Sequence, residues 1–559
     1  MNKFIYSAVA GLASVAMLTG CIDEINPENS YVTSKQAAEA PNSYNNFVNA
    51  VTNNLAGQFN YWPEEMFPFD YGFTSFFLAR DVMGQDIGLT QNYWGHYGGW
   101  YSCGTSIMPG YAVCQFPFMV YYQWVKDCNT VISLYKASPS EDHAAGAGIA
   151  HVVRAMVYMD LARMYAEKSY GQDQLSPTVP LVTESTTLSD YPFNPRATNA
   201  AMWDFIVRDL DEAEQLLANY SRPDKYTPDV SVVYGLKARA YQWMEKWPEA
   251  EEYAKKAQAG YTMMSRDEYL DRNTGFNTPN DSWMLAVHFQ PSDANIIDND
   301  ADSSWGSIMC LDMFHLGGTG CGYAANYGYQ LVIDRHLYNT IPLTDFRRNC
   351  FIDFSAADLT GDALVNLCAN YSDYPEELAA TPVGSEYEYG MGGFSMKFRP
   401  AGGQEGRENQ YVGFCVSVPL MRVEEMKLIE AEAAGMQNEG RGKQLLTDFA
   451  LTRDASYVYG THNEQYYGSN TAFQNEIWWQ RRVELWGEGF ATYDIKRFGK
   501  GIIRSYAGTN HLDKYQWNLQ QTPQWMTFLF GGTEPDNNYE LVQNPIPVPP
   551  VDNSAPFVF

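Results

Sequence analysis

Apolar positions at helical spacing concentrate in two blocks of the chain. In the first, Val153, Met156, Val157, Leu161, Met164 and Tyr165 share one helix face, while Arg154, Asp160 and Arg163 point elsewhere. Phe205, Ile206, Leu210, Ala213 and Leu217 form a second stripe, and Leu236, Ala240 and Trp243 a third. Pro248 suits the first turn of a helix carrying Ala250, Ala254 and Ala257. In the second block, Leu420, Val423, Met426, Ile429 and Ala433 predict a helix opening near Pro419, followed by helices over Leu445 to Arg453 and Ile477 to Glu488. Short connections imply antiparallel hairpins, and the small Ala contacts resemble degenerate tetratricopeptide repeats. The expected fold class is mainly α: tetratricopeptide-like helical hairpins over roughly 116–261 and 416–500, with long irregular insertions and a few short strands.

Two stretches lack helix-length stripes. Residues 262–415 are rich in Gly, Asn, Asp and Pro, with short strand-like runs at Trp283 to Phe289 and Phe394 to Phe398. Residues 61–115 have the same irregular, aromatic character. Loops this long inside a compact domain are more often functional than idle, so both are expected to face a ligand. The tail from Asn544, Pro-Ile-Pro-Val-Pro-Pro, is expected to be extended.

The N-terminus reads as a processing signal. Lys3 precedes a short apolar run from Phe4 to Met17, and Leu18-Thr19-Gly20-Cys21 follows. That tetrapeptide resembles a bacterial lipobox, which implies cleavage before Cys21 and lipidation of its thiol, with residues 21–40 as tether and 41–559 as one domain. Two or three acyl chains anchor durably, at about 0.8 kcal/mol per buried CH₂. Ile22, Asp23 and Glu24 resemble the surface-export signal of Bacteroidetes lipoproteins.

A net charge of −29 argues against a nucleic-acid partner. Aromatic residues reach 15%, with 40 Tyr and 14 Trp, more than a core alone calls for, and this raises the idea of ring platforms for a ligand. Beyond Cys21 stand eight cysteines without Cys-x-x-Cys or zinc-like His spacing. Local pairs Cys103–Cys114 and Cys310–Cys321 and free buried thiols are both open on the sequence alone.

Several motifs then occur in order. Arg154-Ala155 with Tyr158, Leu161, Ala162 and Tyr165 is followed by Val179-Pro180-Leu181-Val182, Asp209-Leu210-Asp211 and Lys237-Ala238-Arg239-Ala240. Next come Pro419 to Met426 with Glu430-Ala431-Glu432-Ala433, then Arg481-Arg482-Val483-Glu484-Leu485, Glu488-Gly489-Phe490 and Asp494 to Gly499. With Pro545-Ile546-Pro547 these resemble the SusD/RagB family across nearly the whole chain, apart from Ala491, where the motif usually has Arg, and Val548-Pro549-Pro550, which replaces a common acidic ending. The resemblance implies a SusD-like fold and a non-enzymatic lipoprotein at the cell-surface side of the outer membrane. Such a protein would capture glycans, or peptides in RagB-like members, for a SusC-like TonB-dependent transporter. The charged motif residues Arg422, Glu424, Glu430, Arg481, Glu484, Glu488 and Arg497 read as inter-helix ion pairs rather than catalysts.

Sugar recognition needs aromatic faces and planar polar groups that reach vicinal hydroxyls. The expected ligand residues are Arg80, Asp81, Asn92, Trp94, Tyr97, Trp100 and Tyr101, with Tyr93 and His96 in the same run. In the family the glycan site often draws an Arg and Trp residues from this region, which implies Arg80, Trp94 and Trp100 foremost. The later segment offers Trp283, Trp305, Tyr323 and Tyr327, each of which could equally be core. Asp298, Asp300 and Asp302 have calcium-loop spacing, but Ser303 and Met309 stand where an EF-hand has Gly and Glu, so a solvated loop is expected. No cofactor or metal is called for. Hydrolase, P-loop and dinucleotide motifs are absent from the sequence. A surface glycoside hydrolase would need two carboxylates flanking a cleft, and 66 acidic residues make their mere presence uninformative.

Overall fold

The computed structural model describes residues 42–57, 67–314, 321–463, 466–551 and 554–559, without the side chains of Trp94, Gly95 and Asn299. The signal, Cys21 and the tether lie outside the described residues. The chain divides after Asn46 into two compact units, and the second, Phe47–Phe559, holds both helical blocks and all the strands.

The described chain is mainly helical. Twelve of its helices have seven residues or more: α1 Ser43–Asn53, α2 Ser75–Asp81, α3 Ala112–Ala137, α4 Glu141–Tyr165, α5 Asn199–Leu216, α6 Val230–Trp243, α7 Trp247–Ala257, α8 Gly361–Cys368, α9 Val423–Gln437, α10 Glu439–Leu451, α11 Ala472–Glu484 and α12 Ala491–Phe498. Local chemistry sets their starts. Asp229 accepts the Ser231 and Val232 N–H groups at the head of α6, Pro248 sits in the first turn of α7, and Thr471 with Gln474 forms a capping box on α11. Successive helices pack on one another through both blocks, and α7 against α9 joins the first block to the second. The α9–α10 approach requires glycine: a Cβ on Gly442 would stand 2.3 Å from Gly435 Cα.

Four two-stranded antiparallel sheets complete the architecture: β1 Ile87–Leu89 with β5 Leu331–Ile333, β2 Pro177–Pro180 with β3 Arg196–Thr198, β4 Trp283–His288 with β6 Ser417–Arg422, and β7 Ile502–Ile503 with β8 Asn518–Leu519. Three expectations are corrected here. Residues 417–422 are strand rather than the start of a helix, because they pair with β4, and the helix begins at Val423. Phe394 to Phe398 makes only isolated bridges, Val332 with Phe394 and Phe351 with Ser395. The helix expected to run to Glu488 ends at Glu484, where Gly487 and Gly489 take positive φ.

The charged motif residues form a buried network at the β6–α9 junction. Arg422 donates to both Glu488 oxygens at 2.9 Å and to Glu484 Oε1 at 3.2 Å, and it pairs with Glu424 at 3.0 Å. Arg453 reaches Glu484 and Glu424 at 3.1 and 3.2 Å, Arg347 reaches Glu484 and Asp345 at 3.2 and 2.6 Å, and Lys397 reaches Glu488 at 2.6 Å. Four cations thus meet four carboxylates, all buried. Burial alone would push the Glu484 carboxyl up, but Arg453, Arg422 and Arg347 outweigh it and hold it well below the usual range. Arg481 and Arg497 share Asp494 at 2.7 Å each, while Glu430 accepts Gln258 at 2.7 Å.

All eight described cysteines are free thiols, so the pairs Cys103–Cys114 and Cys310–Cys321 are not made. Cys103 Sγ instead donates to Trp100 O at 3.1 Å and Cys114 Sγ to Leu529 O at 3.3 Å. Seven are buried and only Cys415 is half-exposed.

Arg422→Ala leaves three carboxylates without their central cation and should cost about 3–5 kcal/mol in chemical unfolding; a loss below about 1 kcal/mol would contradict the network's role. Alkylation of the native protein should modify Cys415 first, and unfolding without reductant should release all eight thiols; any pair that stays unreactive would reinstate a disulfide.

Candidate functional site

The β1–β5 ladder, Ile87 opposite Ile333 and Leu89 opposite Leu331, sets two segments side by side: 90–98 leaving β1 and 323–330, which begins in the short helix Gly322–Asn326, entering β5. Polar contacts strap them together. Thr90 Oγ1 donates to Gly328 O at 2.8 Å, and Gln91 Nε2 to Tyr327 O at 2.8 Å. After Tyr93 the chain makes a single π turn, Trp94–Gly98, in which His96 has non-helical angles, φ −111° and ψ −127°. The turn closes over Gly98, where a Cβ would lie 2.2 Å from Asn92 Oδ1 and 2.5 Å from Tyr93 O.

This arrangement leaves a row of rings at the surface. Tyr93 and Tyr327 are each 55% exposed, while Tyr323 is half-buried between Tyr327, at 5.5 Å, and His96, at 4.1 Å edge-on. His96 also packs on Tyr329 at 4.4 Å and on Tyr93 at 5.8 Å. It is 8% exposed, and among the described residues neither ring nitrogen has a hydrogen-bond partner. Burial pushes its pKa down to about 4, so at neutral pH the ring is an uncharged donor and acceptor.

Asn92 links the rings to a cavity of about 220 Å³ lined by Glu386, Tyr389, Asn510, Asp513 and Tyr515, among others. Its Nδ2 donates to Tyr515 OH at 2.5 Å and its backbone N–H to Glu386 Oε2 at 2.9 Å, while Oδ1 has no partner among the described residues. Beneath, Tyr101 meets Tyr515 edge-on at 5.2 Å and bonds His511 Nδ1 at 2.8 Å. A larger recess of about 800 Å³ lies by Gln172, Lys496 and Gln524, but among the described residues no aromatic ring lines it.

The expected site residues divide accordingly. Asn92 and Tyr323 lie on this face, and Trp94 belongs to its π turn, although its side chain is not described. Tyr97 and Tyr101 are buried directly under it, Tyr97 N–H donating to Tyr329 OH at 2.8 Å. Arg80, Asp81, Trp100, Trp283 and Trp305 are core, a correction to the reading that gave them ligand contacts. Arg80 is held by Asp160 at 2.9 Å and donates to Gly489 O at 3.1 Å. Asp81 accepts the Gly489 and Ala491 N–H groups at 2.9 and 3.0 Å, at the head of α12. Trp100 stands edge-on to Phe69 at 4.9 Å and Trp305 to Phe398 at 5.0 Å, while Trp283 opens β4 at 0% exposure. With 0–2% exposure these indoles have no face to offer.

Sequence reasoning missed Glu386 and Tyr515, which reach Asn92 from 294 and 423 residues away, and Tyr389 and Asp513, which line the same cavity; none carries a local motif. At the acidic loop, Asp300 accepts Tyr411 OH at 3.0 Å, and among the described residues no three His, Cys, Asp or Glu side chains group as a metal cluster.

Residues 105–242 match the SusD-like_3 family, described as "Starch-binding associating with outer membrane". Among solved structures, a SusD-like carbohydrate binding protein from Bacteroides vulgatus is 21% identical, with TM-score 0.67 over 91% of this chain and 98% of its own. A laminarin binding SusD-like protein is 19% identical, with TM-score 0.62 over 90% and 99%. Surface glycan-binding protein A from Bacteroides thetaiotaomicron, solved with laminarihexaose, is 16% identical, with TM-score 0.64 over 90% and 98%. A search of curated proteins gave no sequence match. The chain is similar to SusD-like proteins, in sequence over 105–242 and in fold over nine-tenths of its length. Among the described residues no helix is long and apolar enough to cross a membrane.

Gly98→Ala should push Asn92 and Tyr93 from their places while leaving the core packed. Ligand affinity is expected to drop at least tenfold with the unfolding midpoint lowered by only a few degrees; unchanged affinity would mean the 92–98 turn does not touch ligand.

Proposed function

We propose that this chain is a cell-surface glycan-binding lipoprotein, exported by residues 1–20 and anchored to the outer membrane through lipid on Cys21. It captures an oligosaccharide or polysaccharide and delivers it to a SusC-like TonB-dependent transporter. One observation carries the reading: Tyr93 and Tyr327, each 55% exposed, flank the half-buried Tyr323, a row of rings with open faces beside Asn92. Tyrosine faces suit the C–H faces of pyranose rings. The laminarin and laminarihexaose ligands of the two structural relatives, and the starch-binding family description, support the same class of ligand. The irregular segments 61–115 and 262–415 supply most of this face, and the hairpins are the scaffold on which the transporter would pack.

The role is capture without catalysis. A glycosidase keeps one carboxylic acid protonated inside an apolar enclosure and sets it opposite a second. Glu386, Glu388 and Asp513 around the cavity all stand exposed to water.

Affinity gel retardation against a panel of polysaccharides, with peptides alongside, tests the reading. Tyr93→Ala and Tyr327→Ala should each weaken the retained glycan about tenfold, or ~1.4 kcal/mol, whereas Trp100→Ala should act through stability. Tyrosine variants that bind like wild type would place the ligand elsewhere. Peptide binding with silence on every glycan would replace the reading with RagB-like peptide capture.

A further inference from the structure

Carboxylates gather at one end of the ring row. There the cavity beside Asn92 is lined by Glu386, Glu388 and Asp513 against a single ammonium, Lys514. All four are exposed. Arg335 is the cation stacked on Tyr389, at 5.2 Å from its ring, and it also packs on Phe354 at 5.1 Å. A ligand at the cavity end of the row therefore meets three exposed carboxylates and one exposed ammonium, with Arg335 against the Tyr389 ring.

Resting on the glycan-binding role, we propose that this face selects uncharged or amine-bearing glycans and rejects polyuronates and sulfated chains, with Glu386, Glu388 and Asp513 as the selecting residues. The physical ground is that like charges set side by side at a binding face cost affinity and suppress wrong partners. The carboxylates still serve a neutral sugar, since each oxygen accepts hydroxyl protons that a cationic site could not take. An ammonium-bearing sugar gains a charge-assisted hydrogen bond in addition. The whole chain, at −29, also repels polyanions from a distance, but salt screens that field within about 8 Å at physiological ionic strength. What persists there is the local effect.

The test is gel retardation at physiological salt by laminarin, starch, xylan, chitosan, polygalacturonate and alginate. It compares the wild-type protein with the E386Q/E388Q/D513N variant, which keeps the side-chain shape and one acceptor oxygen at each position and changes about a tenth of the net charge. Wild type should bind at least one neutral or cationic polysaccharide and hold polygalacturonate and alginate at least tenfold more weakly. The variant should narrow that gap to about threefold and lose any preference for chitosan. Equal retardation of wild type by polyanions would overturn the selectivity and leave glycan capture standing. A gap unchanged in the variant would overturn the role of these three residues. Silence on all six polysaccharides would bring down the capture reading and this one together.

Discussion

Everything in this fold passes through the side chain of Glu484. It sits at the last turn of α11 and accepts from Arg422, Arg453 and Arg347, which arrive from the β6–α9 junction, from beyond α10 and from the irregular middle segment. Lys397, another residue of that segment, closes on Glu488 and on the Glu484 carbonyl. Desolvating so many charges is costly, and only complete mutual pairing offsets it. A partly assembled network would leave bare charges in the core, so the network couples the helical hairpins to the long insertion. The insertion has few regular elements of its own, and this junction is what makes it a rigid part of the molecule.

Rigidity there matters because the candidate site is built from loops. The β1–β5 ladder is only three residue pairs long, yet it lays segment 90–98 against segment 323–330. Arg482 holds Asp86, just before β1, with a 2.5 Å bond from α11. The same helix thus carries both the core network and the anchor of the ligand-facing loop. Tyr97, Tyr101 and Tyr329 then support the exposed rings from below, with Tyr329 OH bonded to backbone and Tyr101 OH to His511. A binding face of tyrosines on such a base loses little side-chain freedom when a ligand arrives.

The same tyrosine-rich composition serves two purposes that exposure alone separates. Trp100 and Trp305 fill the core through edge-to-face contacts, whereas Tyr93 and Tyr327 are left half open. Arg80 shows the same division among charged residues. It looks like a ligand-binding guanidinium in the sequence and is in fact the partner of Asp160 on α4.

Local information was enough for much of the fold. Helical periodicity identified both hairpin blocks, Pro248 located a helix start, and the ordered motifs from Arg154 to Gly499 identified the class of fold. It also identified the segments, near 92–101 and 323–327, in which the exposed rings occur. Only the tertiary structure decided which rings have a free face, because alternation is lost in a π turn and exposure depends on what packs behind. Only it turned residues 417–422 into strand, since their partner β4 lies about 130 residues earlier. And only it brought Glu386 and Tyr515 to Asn92, through contacts that no spacing along the chain records.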